Sequence, residues 1–140
     1  MRFTNFVRTV LSYAPISTAA GAEAFTTGVD CLGYRYARVK LICGTATATG
    51  TIAAANIQES SDDGSTDAYA DVSGADFDAI TTANDNTIHH IDVDLTKRER
   101  YLRVAYDVDT DAVVFGVEID LYDPVNAPAT NSSTAAASPV

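Results

Sequence analysis

The chain has 140 residues, 46% of them hydrophobic, and a formal net charge of −10. A single domain of this length buries roughly two-thirds of its unfolded surface, so it can hold a core without disulfides or metals. Strong acidity excludes nucleic acid as a partner because phosphate contacts need clustered Lys and Arg, and no apolar run approaches the roughly 20 residues that span a bilayer.

The first segment, residues 1–22, is interpreted as an N-terminal arm, or a first strand, followed by a loop. The alternation from Val7 to Tyr13 favours a strand, although the same apolar residues also fit one face of a short helix. Pro15 and the small residues 17–22 then predict a loop. The segment also lacks the continuous hydrophobic core of a signal peptide.

Several further runs alternate apolar and polar residues as strands do. They cover residues 23–27, 34–43, 51–60, 69–72, 87–95, 100–106 and 113–122. Ser61–Ser65 predicts a sharp turn, since Asp side chains bond turn backbones and Gly accepts positive φ. Residues 44–50 fit a weak edge or a hairpin loop. Residues 73–86 are expected to form a polar connection with one helical turn.

The predicted fold is all-β, with seven to eight strands in an antiparallel β-sandwich that resembles a jelly roll over residues 23–123. The strand Arg100–Tyr106 organises it, with Leu102, Val104 and Tyr106 directed inward. Its inward face should pack against the apolar faces of two other strands. These faces comprise Val39, Leu41, Cys43, Val113, Phe115, Val117, Ile119 and Leu121.

A Pro/Ser/Ala-rich tail over residues 124–140 follows the sandwich. Its composition cannot bury enough apolar surface to fold alone. We therefore interpret it as an extended C-terminal arm that contacts a neighbouring subunit through Pro124, Pro128 and Val140. This interpretation implies a homo-oligomer.

Residues that resemble metal ligands or catalytic groups have simpler structural explanations. Asp107, Asp109 and Asp111 copy part of an EF-hand spacing, but the glycine position holds Ala112 and the flanks alternate as strands. His89 and His90 are adjacent on a strand and point to opposite faces, so they should not share a metal.

No nucleophile elbow or cofactor motif is present in the sequence. Cys31 and Cys43 are too few for a disulfide framework and lack metal-ligand spacing, so we expect two free thiols. We expect neither an enzyme nor a bound cofactor.

The basic residues cluster in one segment that contains Lys97, Arg98, Arg100 and Arg103. One interpretation is a solvated strand end balanced by nearby acids. The other is an electrostatic contact with an acidic partner, for which the planar fork of Arg is well suited.

Four motifs in order give the chain a family resemblance. They are Gly33-Tyr34-Arg35-Tyr36-Ala37-Arg38-Val39, Ile57-Gln58-Glu59-Ser60-Ser61-Asp62-Asp63-Gly64, Tyr69-Ala70-Asp71-Val72 and Arg100-Tyr101-Leu102-Arg103-Val104. This order, over roughly residues 30–122, resembles small β-sandwich proteins of tailed bacteriophages, several of which are head decoration or cement proteins. In those proteins Trp often stands where this chain has Tyr69.

The resemblance implies a virion structural protein on the capsid exterior that stabilises the joints between capsomers. Its partners would be the major capsid protein and further copies of itself, with a trimer favoured. Alternatives are a phage tail or head-tail connector component, or a non-catalytic carbohydrate-binding β-sandwich module. The absence of Trp counts against the last, because many sugar-binding surfaces use large aromatic platforms.

Overall fold

The computed structural model describes residues 6–47 and 49–126, which form nine strands and one short 3₁₀ turn. The strands are β1 (Val7–Thr18), β2 (Ala24–Phe25), β3 (Val29–Asp30), β4 (Tyr34–Ala46), β5 (Thr51–Ser60), β6 (Ala70–Phe77), β7 (Ile88–Asp94), β8 (Tyr101–Asp109) and β9 (Val113–Pro124). The 3₁₀ turn, Leu95–Lys97, joins β7 to β8. These described residues contain no helix that is long and apolar enough to cross a membrane.

The strands form two antiparallel sheets. The first sheet has the order β1-β9-β4-β7, and the second has the order β2-β8-β5-β6, with β3 also paired to β8. Thr26 and Cys31 donate backbone hydrogen bonds to Val104 and Arg100, so β2 and β3 are two pieces of one interrupted edge strand. Eight strands result from this count, four in each sheet.

The connectivity is that of a jelly roll. The strand pairs are nested: β1 pairs with β9, the interrupted strand β2/β3 pairs with β8, and β4 pairs with β7. The innermost pair is the β5–β6 hairpin. With β2 and β3 counted as one strand, that hairpin is the only connection between consecutive strands in residues 6–47 and 49–126 that stays within a sheet. A long antiparallel ribbon rolled onto itself in this way makes the two four-stranded layers. The predicted sandwich is therefore confirmed.

The core lies between the two sheets, and its residues are those that the alternation predicted. Leu102 and Val104 have no exposed surface, and Tyr106 is buried as well. The predicted faces of β4 and β9 are also buried: Val39, Leu41, Cys43, Val113, Phe115, Val117, Ile119 and Leu121.

An aromatic cluster joins the two layers near the β1 edge. The ring of Phe115 lies 5.0 Å from that of Tyr106 and 5.2 Å from that of Tyr13, between ring centroids. Edge-to-face and tilted arrangements of this kind add about 0.5–1.5 kcal/mol per pair beyond area burial. Burial raises the pKa of Tyr106 to about 12, and the neighbouring Tyr13 adds to the shift.

Two local predictions are wrong. Residues 73–77 belong to strand β6, not to a polar connection with a helical turn, and Ile80 bridges Ile52 in extended pairing. A register irregularity in β6, where residues 72–75 lie opposite the single residue Ile57 and Gly74 has φ +75°, hides the strand periodicity in the sequence. Near the N-terminus, β1 continues through Pro15 to Thr18 because register shifts at this sheet edge accommodate the proline.

Candidate functional site

Both ends of the described chain emerge at one end of the sandwich. The backbone amide of Asp123 donates to the carbonyl of Phe6, at 3.2 Å, and that of Val125 donates to the carbonyl of Gly33, at 2.8 Å. Gly33 and Leu32 share a shallow cleft of about 240 Å³ with Arg98 and Arg100. We call this region, comprising residues 31–33, 95–100 and 123–126 with Phe6, the arm end.

Three of the exposed large apolar side chains lie at the arm end. Leu32 is 66% exposed, Val125 is 58% exposed and Phe6 is 37% exposed. The Asp30 carboxylate accepts a hydrogen bond from the backbone amide of Leu32, at 3.0 Å, which fixes the turn that presents this leucine. Aromatic residues and Arg are enriched in protein-protein interfaces, so Phe6 and the arginines of the arm end suit such a contact.

The predicted basic residues at the arm end are paired with acids of the same chain. Arg100 makes a two-pronged contact with Asp30, with Nε–Oδ1 and Nη2–Oδ2 distances of 2.9 and 2.6 Å. Arg98 Nη1 lies 3.2 Å from Glu59 Oε1. Lys97, whose side chain is 76% exposed, lies 3.7 Å from Asp94 in a looser contact.

These pairs change the electrostatics of the corner. The hydrogen bonds from Arg100 lower the pKa of Asp30 and raise the pKa of Arg100 in return, although burial opposes both shifts. Because the Arg100–Asp30 pair is partly exposed to solvent, its net stabilisation is small. The acids therefore orient the arginines. Because these ion pairs are weak, replacing the same-chain acid by an acid of a binding partner costs little free energy.

Arg103 does not belong to this corner. It lies on the outer face of the second sheet, where its guanidinium carbon sits 3.9 Å from the ring centroid of Phe25 and 4.0 Å from that of Tyr69. Its Nε donates to Gln58 Oε1 at 2.9 Å. Two rings and an amide surround the guanidinium, so Arg103 holds Phe25 and Tyr69 together.

Tyr69 ends the loop between β5 and β6, which folds over this face. The loop, residues 61–69, is built around Asp62, and we call it the Asp62 loop. One Asp62 oxygen accepts a hydrogen bond from the Thr66 hydroxyl at 2.5 Å. The carboxylate also accepts hydrogen bonds from the backbone amides of Ser65, Thr66 and Asp67. These hydrogen bonds, the Thr66 hydroxyl first, lower the pKa of Asp62 to about 2. The predicted sharp turn is thus a rigid lobe.

The predicted arm residues are only partly described. Pro124 ends β9 opposite Tyr34, at the arm end and next to Arg35, which pairs with Asp123 at 3.0 Å. Pro128 and Val140 lie outside the described residues.

The aspartates with EF-hand spacing lie at the opposite end of the sandwich. Asp107 and Asp109 belong to β8, paired with Ala54 and Thr51. Asp109 and Asp111 accept from the next backbone amides along the chain, at 2.7 and 2.8 Å. Among residues 6–47 and 49–126, His, Cys, Asp and Glu form no group of three that could hold a metal ion.

The histidines and cysteines have structural surroundings. His89 Nε2 lies 2.8 Å from the Thr87 hydroxyl, and His90 is exposed opposite Lys40. Both thiols are free and buried, and burial raises the pKa of Cys31 and of Cys43 to about 12. Thiols in this state are poor nucleophiles.

A second surface feature is a groove of about 530 Å³ on the outer face of the first sheet. Its lining comes from two rows of cross-strand neighbours on β9, β4 and β7: Tyr122, Tyr36 and Asp94 in one row, and Arg38 with Asp92 in the next. The paired backbones of Ala37 and Val93 form its floor.

Basic side chains on this face form ion pairs with acidic side chains of neighbouring strands. Arg38 donates two hydrogen bonds, of 2.7 and 2.9 Å, to the Asp92 carboxylate. These hydrogen bonds lower the pKa of Asp92 and raise the pKa of Arg38. Beside them, Lys40 contacts Glu118 at 2.5 Å and Asp120 at 2.7 Å. Burial of Lys40 acts to lower its pKa, but the hydrogen bonds to Asp120 and Glu118 together outweigh it, so the pKa of Lys40 is raised.

The apolar residues of the arm end and the tyrosines of the groove were not predicted as site residues from the sequence. A leucine in the turn Asp30-Cys31-Leu32-Gly33 was the available signal, because Gly, Pro, Asn, Asp and Ser dominate turns and a large aliphatic residue is unusual there. Tyr36 and Tyr122 lie on strand faces that alternation marks as outward. Nothing local indicates that β4 and β9 bring them together.

The chain was compared with protein family models and with curated proteins. No protein family model matches it, and no curated protein matches it.

Proposed function

We propose that the protein is a virion structural protein that decorates the exterior of a phage head and cements the joints between capsomers. The observation that carries the proposal is the arm end, where both ends of the described chain, three exposed apolar residues and two oriented arginines meet. The jelly-roll fold and the motif resemblance support it by analogy, since jelly rolls serve in viral capsids among other roles.

The mechanism is mechanical. The described sandwich is a stiff body with a continuous core and a rigid Asp62 loop. Leu32, Val125 and Phe6 bury apolar surface against the capsid, and the arginines exchange same-chain acids for acids of the major capsid protein. The predicted C-terminal arm, whose first residue Pro124 lies at the arm end, is the proposed contact with a neighbouring copy. Multivalent attachment by an oligomer, with a trimer favoured, lets individually weak contacts sum to tight binding.

Binding to heads assembled from the cognate major capsid protein tests the proposal. Leu32→Asp should abolish occupancy of the heads, while Ile88→Asp should leave it unchanged. Ile88 is a matched control, since it is 60% exposed, against 66% for Leu32, and lies on β7 toward the opposite end of the sandwich. Circular dichroism would establish that both variants are folded.

Cryo-electron microscopy of the decorated particles would locate the protein. Equal binding of both variants would remove the arm end from the proposal. A wild-type protein that does not bind heads would refute the capsid role, and density at the neck or tail of virions would favour a connector or tail component instead.

A further inference from the structure

We propose that the groove between β9, β4 and β7 binds a neutral saccharide. This inference goes beyond the capsid role and does not rest on it. The groove volume of about 530 Å³ falls in the usual range for small-ligand sites, about 300–1,000 Å³. Its lining combines aromatic rings with charged hydrogen-bonding groups, and each part suits one side of a sugar ring.

The aromatic side of the groove is formed by Tyr36 and Tyr122. They are direct cross-strand neighbours on the outer face, so their side chains start about 4.5–5.5 Å apart. Tyr36 is 51% exposed. Tyr122 is held by a hydrogen bond of 3.3 Å to Asp120, and burial raises its pKa. The apolar C–H face of a pyranose can pack against such rings, which lose little conformational freedom on binding.

The polar side is formed by the Arg38–Asp92 pair and Asp94. The pair uses one N–H of Nε and one of Nη2 of Arg38, which leaves three N–H donors, two on Nη1 and one on Nη2, and further lone pairs on the Asp92 oxygens. Donors and acceptors fixed side by side match a sugar diol, whose hydroxyls both donate and accept. Asp94 is held by the Thr96 hydroxyl at 2.6 Å, so it too is pre-oriented.

Charge selects among saccharides. Arg38 contributes +1 and the two aspartates contribute −2, so the lining carries a net charge of −1 within a chain of net charge −10. Sialylated, sulfated or uronic saccharides would be repelled. The expected ligand class is therefore a neutral hexose or pentose oligomer.

The test is an array of neutral gluco-, galacto-, manno- and xylo-oligosaccharides beside sialylated and sulfated ones, followed by calorimetric titration of the neutral hits. Wild-type protein should bind a neutral subset and none of the anionic saccharides. Tyr36→Ala should weaken binding at least about tenfold because the stacking ring is lost, and Tyr36→Phe should retain it within about threefold. Asp92→Asn should weaken binding with the fold intact.

Tyr101→Ala is the matched control. Tyr101 lies on β8 in the other sheet, with Arg100 over its ring at 5.0 Å, and is not part of the groove. Its loss should leave saccharide affinity unchanged. The inference is overturned if no neutral saccharide binds at millimolar concentration, if Tyr36→Ala and Tyr101→Ala weaken binding equally, or if a lysine-rich peptide binds the groove and sugars do not. Head binding by Tyr36→Ala, measured in parallel, separates this result from that of the capsid role.

Discussion

Replacing Arg103 by alanine removes three contacts at once. The guanidinium carbon lies 3.9 and 4.0 Å from the ring centroids of Phe25 and Tyr69, and Nε donates to Gln58 at 2.9 Å. The two rings come from segments far from β8 in the sequence. We therefore expect the variant to lose the contact between the Asp62 loop and the β2 edge as well as overall stability.

The size of the effect follows from these contacts. Each cation–π contact at a partly exposed site contributes about 0.5–1 kcal/mol, and a hydrogen bond from a charged donor contributes about 1.5–3 kcal/mol. With two cation–π contacts and one hydrogen bond lost, the free energy of unfolding should therefore fall by about 2.5–5 kcal/mol. For a chain of this length that loss lowers Tm by about 10–15 °C. Arg103→Lys keeps the charge but loses the planar fork, so about half of the loss should remain.

Urea unfolding followed by circular dichroism measures the change, with Lys97→Ala as the control. Lys97 is 76% exposed on its side chain and only loosely paired, so its loss should change stability by less than about 0.5 kcal/mol. If Arg103→Ala were as stable as Lys97→Ala, the contacts of Arg103 with Phe25, Tyr69 and Gln58 would contribute nothing to stability. Arg103 would then again be a candidate for partner binding.

Three further outcomes are expected. Gly28→Ala should expose the Asp62 loop to limited proteolysis, because the added methyl group overlaps the Tyr69 hydroxyl; an unchanged cleavage rate would contradict this packing. The pKa of Asp62 is lowered from 3.8 to about 2, so its stabilisation of the loop is complete above about pH 4 and is lost as the pH falls through about 2. Backbone amide shifts in the loop, recorded by NMR, should titrate near that lower value, and a midpoint near 4 would count against the hydrogen-bonded turn. Cys31 and Cys43 should react with a thiol reagent at pH 8 only after denaturation, and rapid labelling of the native protein would refute their burial.

Alternation within single strands was enough to predict most of the fold. The inward residues of β4, β8 and β9 were identified correctly because a strand with one buried face repeats every two residues. The turn at Ser61–Ser65 was also predicted, since Asp and Gly there act on their own backbone. Strand β6 was missed where its bulge breaks the two-residue period.

The site was much less predictable. The basic segment was recognised from composition, but its four cations have different surroundings in the fold, and Arg103 is clamped between two rings on another face. The exposed apolar residues at the arm end come from three separate parts of the chain, namely Phe6, Leu32 and Val125. Sequence spacing carries no signal for a cluster of this kind.

The sequence by itself determined an acidic, all-β chain with one buried face per strand, because side-chain polarity and strand periodicity act over a few residues. Only the tertiary structure decided which charges neutralise each other and which surfaces are available. Arg100 meets Asp30 across 70 residues and Lys40 meets Glu118 across 78. Such partners are chosen by strand pairing in the rolled-up ribbon, which is a property of the whole chain.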